Sequence, residues 1–469
     1  MNNNKKNTFE VDIEDIAVGG KGIGRIDGKI VFVEKAIPGQ KVEVHIYKNK
    51  KDYAEGRVIK VLENSEYYKE SECTHFSYCG GCSLQNLKYS EQLKFCRKWI
   101  EEVVSRITGI KHANIQDTIP SPDEFFYRNK MEFSFSSKVF DPEQKKIISD
   151  AVGLGFHLPG RYDTVINIDK CFLQSEQSNR ILNFIRDFAE ESGHKAYDLQ
   201  KHTGFWRYLI VREGKLTNEC LICIITSKCD EKENVLIEKL ASELKKDIPE
   251  ITSFFHAEHP GKSQAATWES IRNVFGKDFI TEKIDNFVFR IDSSTFFQTN
   301  SRQVKNLYDI IKRSADLNGG ETVYDLFGGV GTIGIYLSDK AAKIVGFELD
   351  PVSVEAAGIN AEINRIKNCS FIQGKVRILI KYPPDLYKTH GKPDVVVVDP
   401  PRSGLDNKVC ERIIALKPEK IIYVSCNPAT LARDLKIFIE SFEITEIIPV
   451  DMFPQTAHVE TVTTLVKKK

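Results

Sequence analysis

ETVYDLFGGVGTIGIYLSD, residues 321–339, decides the fold. A short apolar run reaches Asp325, glycines follow at 328, 329 and 331, and an apolar stretch resumes. This order predicts a strand, a tight turn where missing side chains let backbone approach a ligand, and a helix. Alone, such a turn serves packing as readily as binding. About 20 residues past the glycines, VGFELD ends a second predicted strand on Glu348. A carboxylate there accepts hydrogen bonds from ribose hydroxyls, so the pair points to a nucleoside cofactor.

Outward from this stretch, helices and strands alternate. A helix (SRQVKNLYDIIKRSADL) precedes it. Helix PVSVEAAGINAEINRI, strand CSFIQG, strand DVVVVDPPRSGL, a helix near 407–416 and strand KIIYVSCNPAT follow. Apolar strands alternating with helices predict a doubly wound, Rossmann-like α/β domain over residues 291–469. A NAD site would want G-x-G-x-x-G. Here G-G-V-G-T, preceded by Asp325, has the usual look of an S-adenosylmethionine methyltransferase. Asp399 closes a strongly apolar strand, and the two prolines after it stiffen the loop. A charge there is costly without a partner, which assigns Asp399 to cofactor or substrate.

Cys426 ends the next predicted strand and should face the same crevice. Single cysteines often only pack, but the polar turn SCNP around this one favours a nucleophile. Beside a methyl donor, a nucleophile suits a poor carbon acceptor such as the five-position of a pyrimidine. Thiolate addition at the six-position makes the five-position enolate-like. After methyl transfer, a base removes the proton there and the thiol leaves. A free cysteine is a few per cent thiolate at neutral pH, so electropositive help is expected, with Arg402 a candidate source. TAHVETV offers Glu460 as base, with His458 two residues before it. Its otherwise apolar setting favours a role over plain exposure.

The whole chain has 469 residues, 41% hydrophobic and 28% charged, enough for two or three globular domains. Lys+Arg and Asp+Glu both number 66, so any basic surface must be local. The start, MNNNKKNTFEVDIED, has no apolar core of a signal peptide, and no stretch approaches a membrane span. A soluble cytoplasmic protein is expected, with reduced thiols and no membrane association. Nothing calls for an obligate protein partner. The eleven cysteines then need a metal, catalytic or packing explanation.

Residues 8–62 alternate β-rich runs with glycine turns, and five or so strands there suggest a small β-barrel within 1–65. Residues 41–60 hold six Lys/Arg against three acids, with Tyr47 and Tyr53 among them. They read as a solvated hairpin or as an RNA-facing edge. Residues 66–290 read as a central α+β domain. Within it, SEQLKFCRKWIEEVVSRI carries Leu93, Cys96, Ile100, Val103 and Val104 at helical spacing, with Ser90 as expected N-cap; this helix is a candidate to pack on the C-terminal domain. FYRNKMEFSF and KHTGFWRYLIVREG mix basic and aromatic residues (Arg128, Lys130, Lys201, His202, Trp206, Arg207, Arg212) that suit splayed bases or ordinary strand surface alike. CTHFSYCGGC sets Cys73, Cys79 and Cys82 at C-x5-C-x2-C, and Cys171 in NIDKCFLQ is a possible fourth thiolate. Zinc and iron–sulfur both fit that spacing. Cys220 and Cys223 stand three apart on a strand, facing opposite ways, so packing explains them; Cys229, Cys96, Cys369 and Cys410 read the same.

FFQTN, DLFGGVGTIG, DPPRSGL, SCNPATLARD and HVETV, in this order along the chain, resemble the RNA uracil-5-methyltransferase family, most nearly its bacterial 23S rRNA members, and the resemblance covers nearly the whole chain. The resemblance implies methylation of carbon 5 of a specific uridine in 23S rRNA, with Cys426 as nucleophile and Glu460 as base. It implies S-adenosylmethionine held by Gln298, Phe327, Glu348 and Asp399, and Phe296 stacking near a flipped uridine. The barrel resembles a TRAM domain, an OB-like RNA-binding module. The cysteines at 73, 79, 82 and 171 match positions that hold a 4Fe-4S cluster, here expected to be structural, since the C-x3-C-x2-C spacing of radical enzymes is missing. Thr332 and Lys375 depart from the family pattern, which often has Asn and an acid there. Alternatives are the same chemistry on tRNA, an iron–sulfur RNA-binding protein without catalysis, and an amino-group methyltransferase. The barrel and cysteines weigh against tRNA, because simpler tRNA enzymes of the family lack both. The catalytic residues weigh against the second, and DPPR with SCNP against the third.

Overall fold

The computed structural model describes residues 7–469. Residues 1–6, part of the polar start read above, lie outside the described residues. Five strands, β1 (Thr8–Ile16), β2 (Gly22–Ile26), β3 (Lys29–Glu34), β4 (Lys41–Asn49) and β5 (Tyr53–Glu63), close into a barrel in the order β1-β2-β3-β5-β4. Alternate residues such as Val11, Ile13, Val31, Val33, Val42 and Val44 fill it. The bore is tight: a Cβ on Gly24 or Gly56 would lie 2.3 Å from a valine methyl, so glycine alone fits.

Helix Tyr89–Thr108 buries Cys96, Trp99, Ile100, Val103 and Val104. They share a core with Leu431, Leu435 and Phe438 of helix Pro428–Phe438. Trp99 Nε1 donates to the Ile16 carbonyl at 2.8 Å, docking the barrel onto the same helix. The helix starts two residues earlier than a Ser90 cap implies. Lys88 occupies the cap position without a side-chain bond, and Ser90 sits inside the first turn. The bond from Lys88 N–H to the Tyr67 carbonyl (2.9 Å) fixes the chain there instead.

A seven-stranded sheet follows: β6 (Lys130–Asp141), β7 (Lys146–His157), β8 (Val165–Asn167), β9 (Trp206–Gly214), β10 (Glu219–Thr226), β11 (Ser253–Glu258) and β12 (Ser270–Gly276). Its order is β12-β11-β10-β9-β6-β7-β8, antiparallel between neighbours except β10–β11. One face packs under helices Glu176–Glu191 and Glu231–Asp247. The other face packs against hairpin β13 (Ile280–Ile284)–β14 (Phe287–Ile291) and helix Ser301–Ala315. Cys220 lies in the first core and Cys223 in the second, on opposite faces as their spacing requires.

The last sheet holds β15 (Thr322–Leu326), β16 (Lys343–Glu348), β17 (Cys369–Gln373), β18 (Val395–Val398), β19 (Lys420–Ser425), β20 (Phe442–Val450) and β21 (Glu460–Lys467). The order is β17-β16-β15-β18-β19-β21-β20, with five parallel strands, then β21 antiparallel to them and β20 antiparallel to β21. The winding reverses between β15 and β18, and a ligand crevice opens outside the carboxyl ends of strands at such a point.

Candidate active site

The carboxyl edge of that sheet collects the predicted residues. Past β15 the chain turns through three left-handed residues, Phe327 (φ 66°), Gly329 (52°) and Gly331 (82°). Phe327 and Gly328 N–H both donate to the Phe347 carbonyl, at 2.9 and 3.0 Å. At Gly331 the conformation favours glycine and a Cβ would sit 2.9 Å from the Phe371 ring. Glu348, at the end of β16, accepts from Gly329 N–H at 3.0 Å and from Leu349 and Asp350 N–H at 2.6 and 2.9 Å. Its carboxylate is thereby aimed at the glycine turn, with lone pairs to spare.

Acids crowd this edge. Asp325 is fully buried. One oxygen accepts from Gly334 N–H at 3.0 Å and the other has no partner. Burial pushes its carboxyl up to about 7, against the Gly334 bond and with Glu348's charge. Asp399, one residue past β18, is also pushed up to about 7, by burial and then by Asp325. Cys426 follows β19. Because β21 runs antiparallel, Ser425 pairs with Thr461, and Glu460 arrives beside Cys426 from 34 positions later in the chain. Glu460 is 4% exposed, and its carboxylate accepts no hydrogen bond among the described residues. Burial, then Asp399, holds it well above the ordinary range, with Arg402 opposing. The half-buried Cys426 thiol is pushed up to about 11 by burial, then by Glu460 and Asp399; Arg402 pulls the other way. No carboxylate pairs with Arg402 among the described residues, so its charge is free to act on the thiol.

Phe296 is 65% exposed while its neighbour Phe297 is 4% exposed, so Phe296 projects unpacked. The Gln298 carbonyl accepts from Asn129 Nδ2 at 2.9 Å, and Asn129 Nδ2 also donates to Ser301 Oγ at 2.8 Å. Thr332, the family departure, shares a 2.7 Å hydrogen bond with the Tyr308 hydroxyl, which lies in the field of Asp399, Asp325 and Glu460. Lys375 is exposed.

Cys73, Cys79, Cys82 and Cys171 line one cavity of about 340 Å³, and Phe296 lines it too. Loop bonds shape it. Gly81 N–H donates to Cys79 Sγ (3.3 Å), Cys171 N–H to Asn179 Oδ1 (2.8 Å), and Lys35 Nζ to the Cys79 carbonyl (2.8 Å). The thiols share a cavity without a closed ligand shell: among the described residues no three His, Cys, Asp or Glu side chains gather to hold a metal ion.

Sequence reasoning missed the support of Glu460. Gln455, in a left-handed turn (φ 70°), exchanges bonds with Gln92 (Gln455 N–H to Oε1, 3.0 Å; Gln92 Nε2 to Gln455 Oε1, 3.0 Å). Its carbonyl accepts from Ser83 and Leu84 N–H, both at 3.0 Å. The loop leading to Glu460 is thus tied to the residues just after Cys82. No local pattern signals this. Both readings of KHTGFWRYLIVREG, base contact and ordinary strand surface, need correcting in part: Trp206, Arg207 and Arg212 are buried, at 0%, 3% and 3% exposure.

No helix among the described residues is long and apolar enough to cross a membrane. The tRNA (Uracil-5-)-methyltransferase family matches residues 215–468 and the TRAM domain residues 4–59. An uncharacterised RNA methyltransferase of Bacteroides thetaiotaomicron is 37% identical over 96% of this chain and 99% of its own length. One of Caldanaerobacter subterraneus is 37% identical over 97% and 98%. Among solved structures, the Pyrococcus abyssi tRNA (uracil-54, C5)-methyltransferase in complex with S-adenosyl-L-homocysteine is similar at a TM-score of 0.74. It is 30% identical, with 97% of this chain and 99% of that one covered. The N-terminal barrel is thus a TRAM domain and the C-terminal sheet a methyltransferase fold, and the chain belongs to the S-adenosylmethionine-dependent RNA uracil-5-methyltransferase family.

Proposed function

We propose that the protein methylates carbon 5 of a uridine in 23S ribosomal RNA. One observation carries the chemistry: antiparallel β21 brings the buried, unpartnered Glu460 carboxylate beside the Cys426 thiol at the carboxyl edge of the sheet. S-adenosylmethionine supplies an electrophilic methyl group. Gln298, Phe327, Glu348 and Asp399 are the residues proposed to hold it. The unsatisfied Asp325 oxygen and the raised acids around it fit a cationic sulfonium. Cys426 Sγ adds to uracil carbon 6, and carbon 5, made enolate-like, accepts the methyl. Glu460 takes the proton from carbon 5, the C6–S bond breaks, and the thiolate returns. Phe296 gives an exposed ring on which the flipped base stacks.

The ribosomal substrate rests on the resemblance of the five ordered motifs to bacterial 23S enzymes. Transfer RNA is the second reading. The Pyrococcus abyssi relative acts on tRNA and aligns over 97% of this chain, so the barrel no longer separates the two substrates. Incubating the enzyme with unmodified rRNA and tRNA and labelled S-adenosylmethionine, then mapping the label by mass spectrometry, decides between them. The expected result is 5-methyluridine in 23S rRNA. Label on an exocyclic nitrogen sinks the mechanism, and label only in tRNA sinks the substrate.

The four thiols around one cavity are proposed to hold a structural 4Fe-4S cluster. An all-sulfur donor set with the Lys35 cation beside it suits an anionic cluster. Anaerobic reconstitution followed by iron and sulfide counts tests this; about four of each per chain is expected.

A further inference from the structure

A second cavity, of about 180 Å³ and lined by no cysteine, opens on the central sheet. It is smaller than the ~300–1,000 Å³ typical of drug-sized ligands, so it has room for a ring rather than a chain. Three tyrosines line it, Tyr162, Tyr197 and Tyr208, with His157 and Arg207. Tyr162 is 56% exposed at its lip. Arg207 is almost wholly buried, its guanidinium 3.7 Å over the Tyr197 ring. It donates to the carbonyls of Gly261 and Ser263 (2.9 Å to Ser263), which fixes that loop beside the cavity, and its Nε has no partner. His157 Nδ1 is buried and has no hydrogen-bond partner. That nitrogen leaves one hydrogen-bonding position of the ring unfilled.

We infer that this cavity is a subsite for a second, splayed nucleobase of the RNA, stacked on tyrosine and hydrogen-bonded at its edge to His157 Nδ1. The inference rests on the RNA-methylation reading and extends it to a residue set outside the active site. Aromatic faces bind any base, while an unpartnered ring nitrogen discriminates among base edges. Placement supports it. Lys130 lines the cavity below Phe296 and Ser134 lines this one. Both point to one face of β6, about 13 Å apart along the strand. A single strand leaving a uridine stacked on Phe296 reaches this second cavity within a few nucleotides.

The test uses the full-length protein with fluorescein-labelled single-stranded RNA 12-mers of each base, titrated by anisotropy at fixed salt. Tyr162→Ala and His157→Phe should each weaken binding about tenfold, with the salt slope unchanged because no phosphate-binding cation is lost. Binding of S-adenosylmethionine should not move. His157→Phe should also flatten the preference among bases, whereas Tyr162→Ala should weaken all alike. Unchanged RNA binding in both variants overturns the subsite, as does a wild type that binds none of the 12-mers. Subsite-dependent binding by a protein that methylates no uridine supports the subsite and defeats only the methylation reading.

Discussion

The two seven-stranded sheets use the same number of strands for opposite ends. In the central sheet neighbouring strands are mostly antiparallel, so strand ends alternate between edges and no edge gathers them. Its reactive groups come from loops, as with Cys73, Cys79 and Cys82, or face a cavity, as with His157. In the C-terminal sheet five parallel strands deliver their last residues to one edge, and one antiparallel strand delivers its first. Parallel winding thus concentrates Asp325, Glu348, Asp399, Cys426 and Glu460 without any sequence proximity. On the proposed function, chemistry sits where topology forces convergence, and recognition where loops and faces are free to vary.

The largest effect that tests this division is at the convergent edge. Cys426→Ala should lower methyl transfer by at least ~10³ and abolish the covalent adduct with 5-fluorouridine RNA. Glu460→Gln should still form an adduct with ordinary RNA, and the adduct should accumulate on denaturing gels. An active alanine variant would show that the edge is not where bonds are made. Next, Cys79→Ser, at the thiol cavity, should cut bound iron after reconstitution and lower the first unfolding transition by several degrees (roughly) if a cluster braces the region. Unmoved iron content and stability would reduce the four thiols to packing.

A smaller effect follows from charge. With the Cys426 thiol at about 11, the thiolate fraction grows as pH rises below that value. Adduct formation should therefore increase about tenfold per pH unit from 7 to 9. The raised acid of Glu460 adds a further loss of turnover as pH falls. Arg402→Ala removes the opposing charge and should slow adduct formation roughly tenfold at pH 7.5, with a profile shifted to higher pH. A profile already flat at pH 7 would show that Arg402 does not govern the thiol. The smallest effect concerns stability. Asp325, raised from 3.8 to about 7, holds a proton in the folded state that the unfolded chain releases. Folding stability at this site is therefore full below about 3.8 and declines as pH rises towards 7. Asp325→Asn should raise the unfolding midpoint by roughly 2 °C at pH 8, and by progressively less as pH falls. Equal shifts at pH 3.5 and pH 8 would rule out titration as the cause.

The C-terminal sheet was legible because each motif closes a strand, and a parallel sheet maps strand ends to one place. Asp399 after VVVV and Cys426 after IIYVS needed only that rule. Glu460 needed one more fact, the reversal of β21, which letters do not state. The barrel was legible from its glycine turns, but not the closeness of Gly24 to Val11 that dictates one of them. Cys171 joins the other thiols through long-range folding, beyond any local spacing. Arg207 and Arg212 misled because basic letters in a strand read as surface; in fact Arg207 is held by loop carbonyls and an aromatic face. Ser90 failed as a cap because a tertiary bond at Lys88 outweighed local preference. Gln455 carried no signal, since a left-handed glutamine is imposed by its partners.

The chain enters the central sheet and leaves it side by side. Arg128 bridges Asn300 in an antiparallel pair, Asn129 N–H donates to the Thr299 carbonyl at 2.9 Å, and the Asn129 side chain clasps the carbonyl of Gln298. Two adjoining crossings behave as a stiff seam rather than a swivel. An RNA strand held by the central sheet, as proposed, would pull first on the segment bearing Phe296 and Gln298, coupling substrate engagement to the proposed cofactor seat.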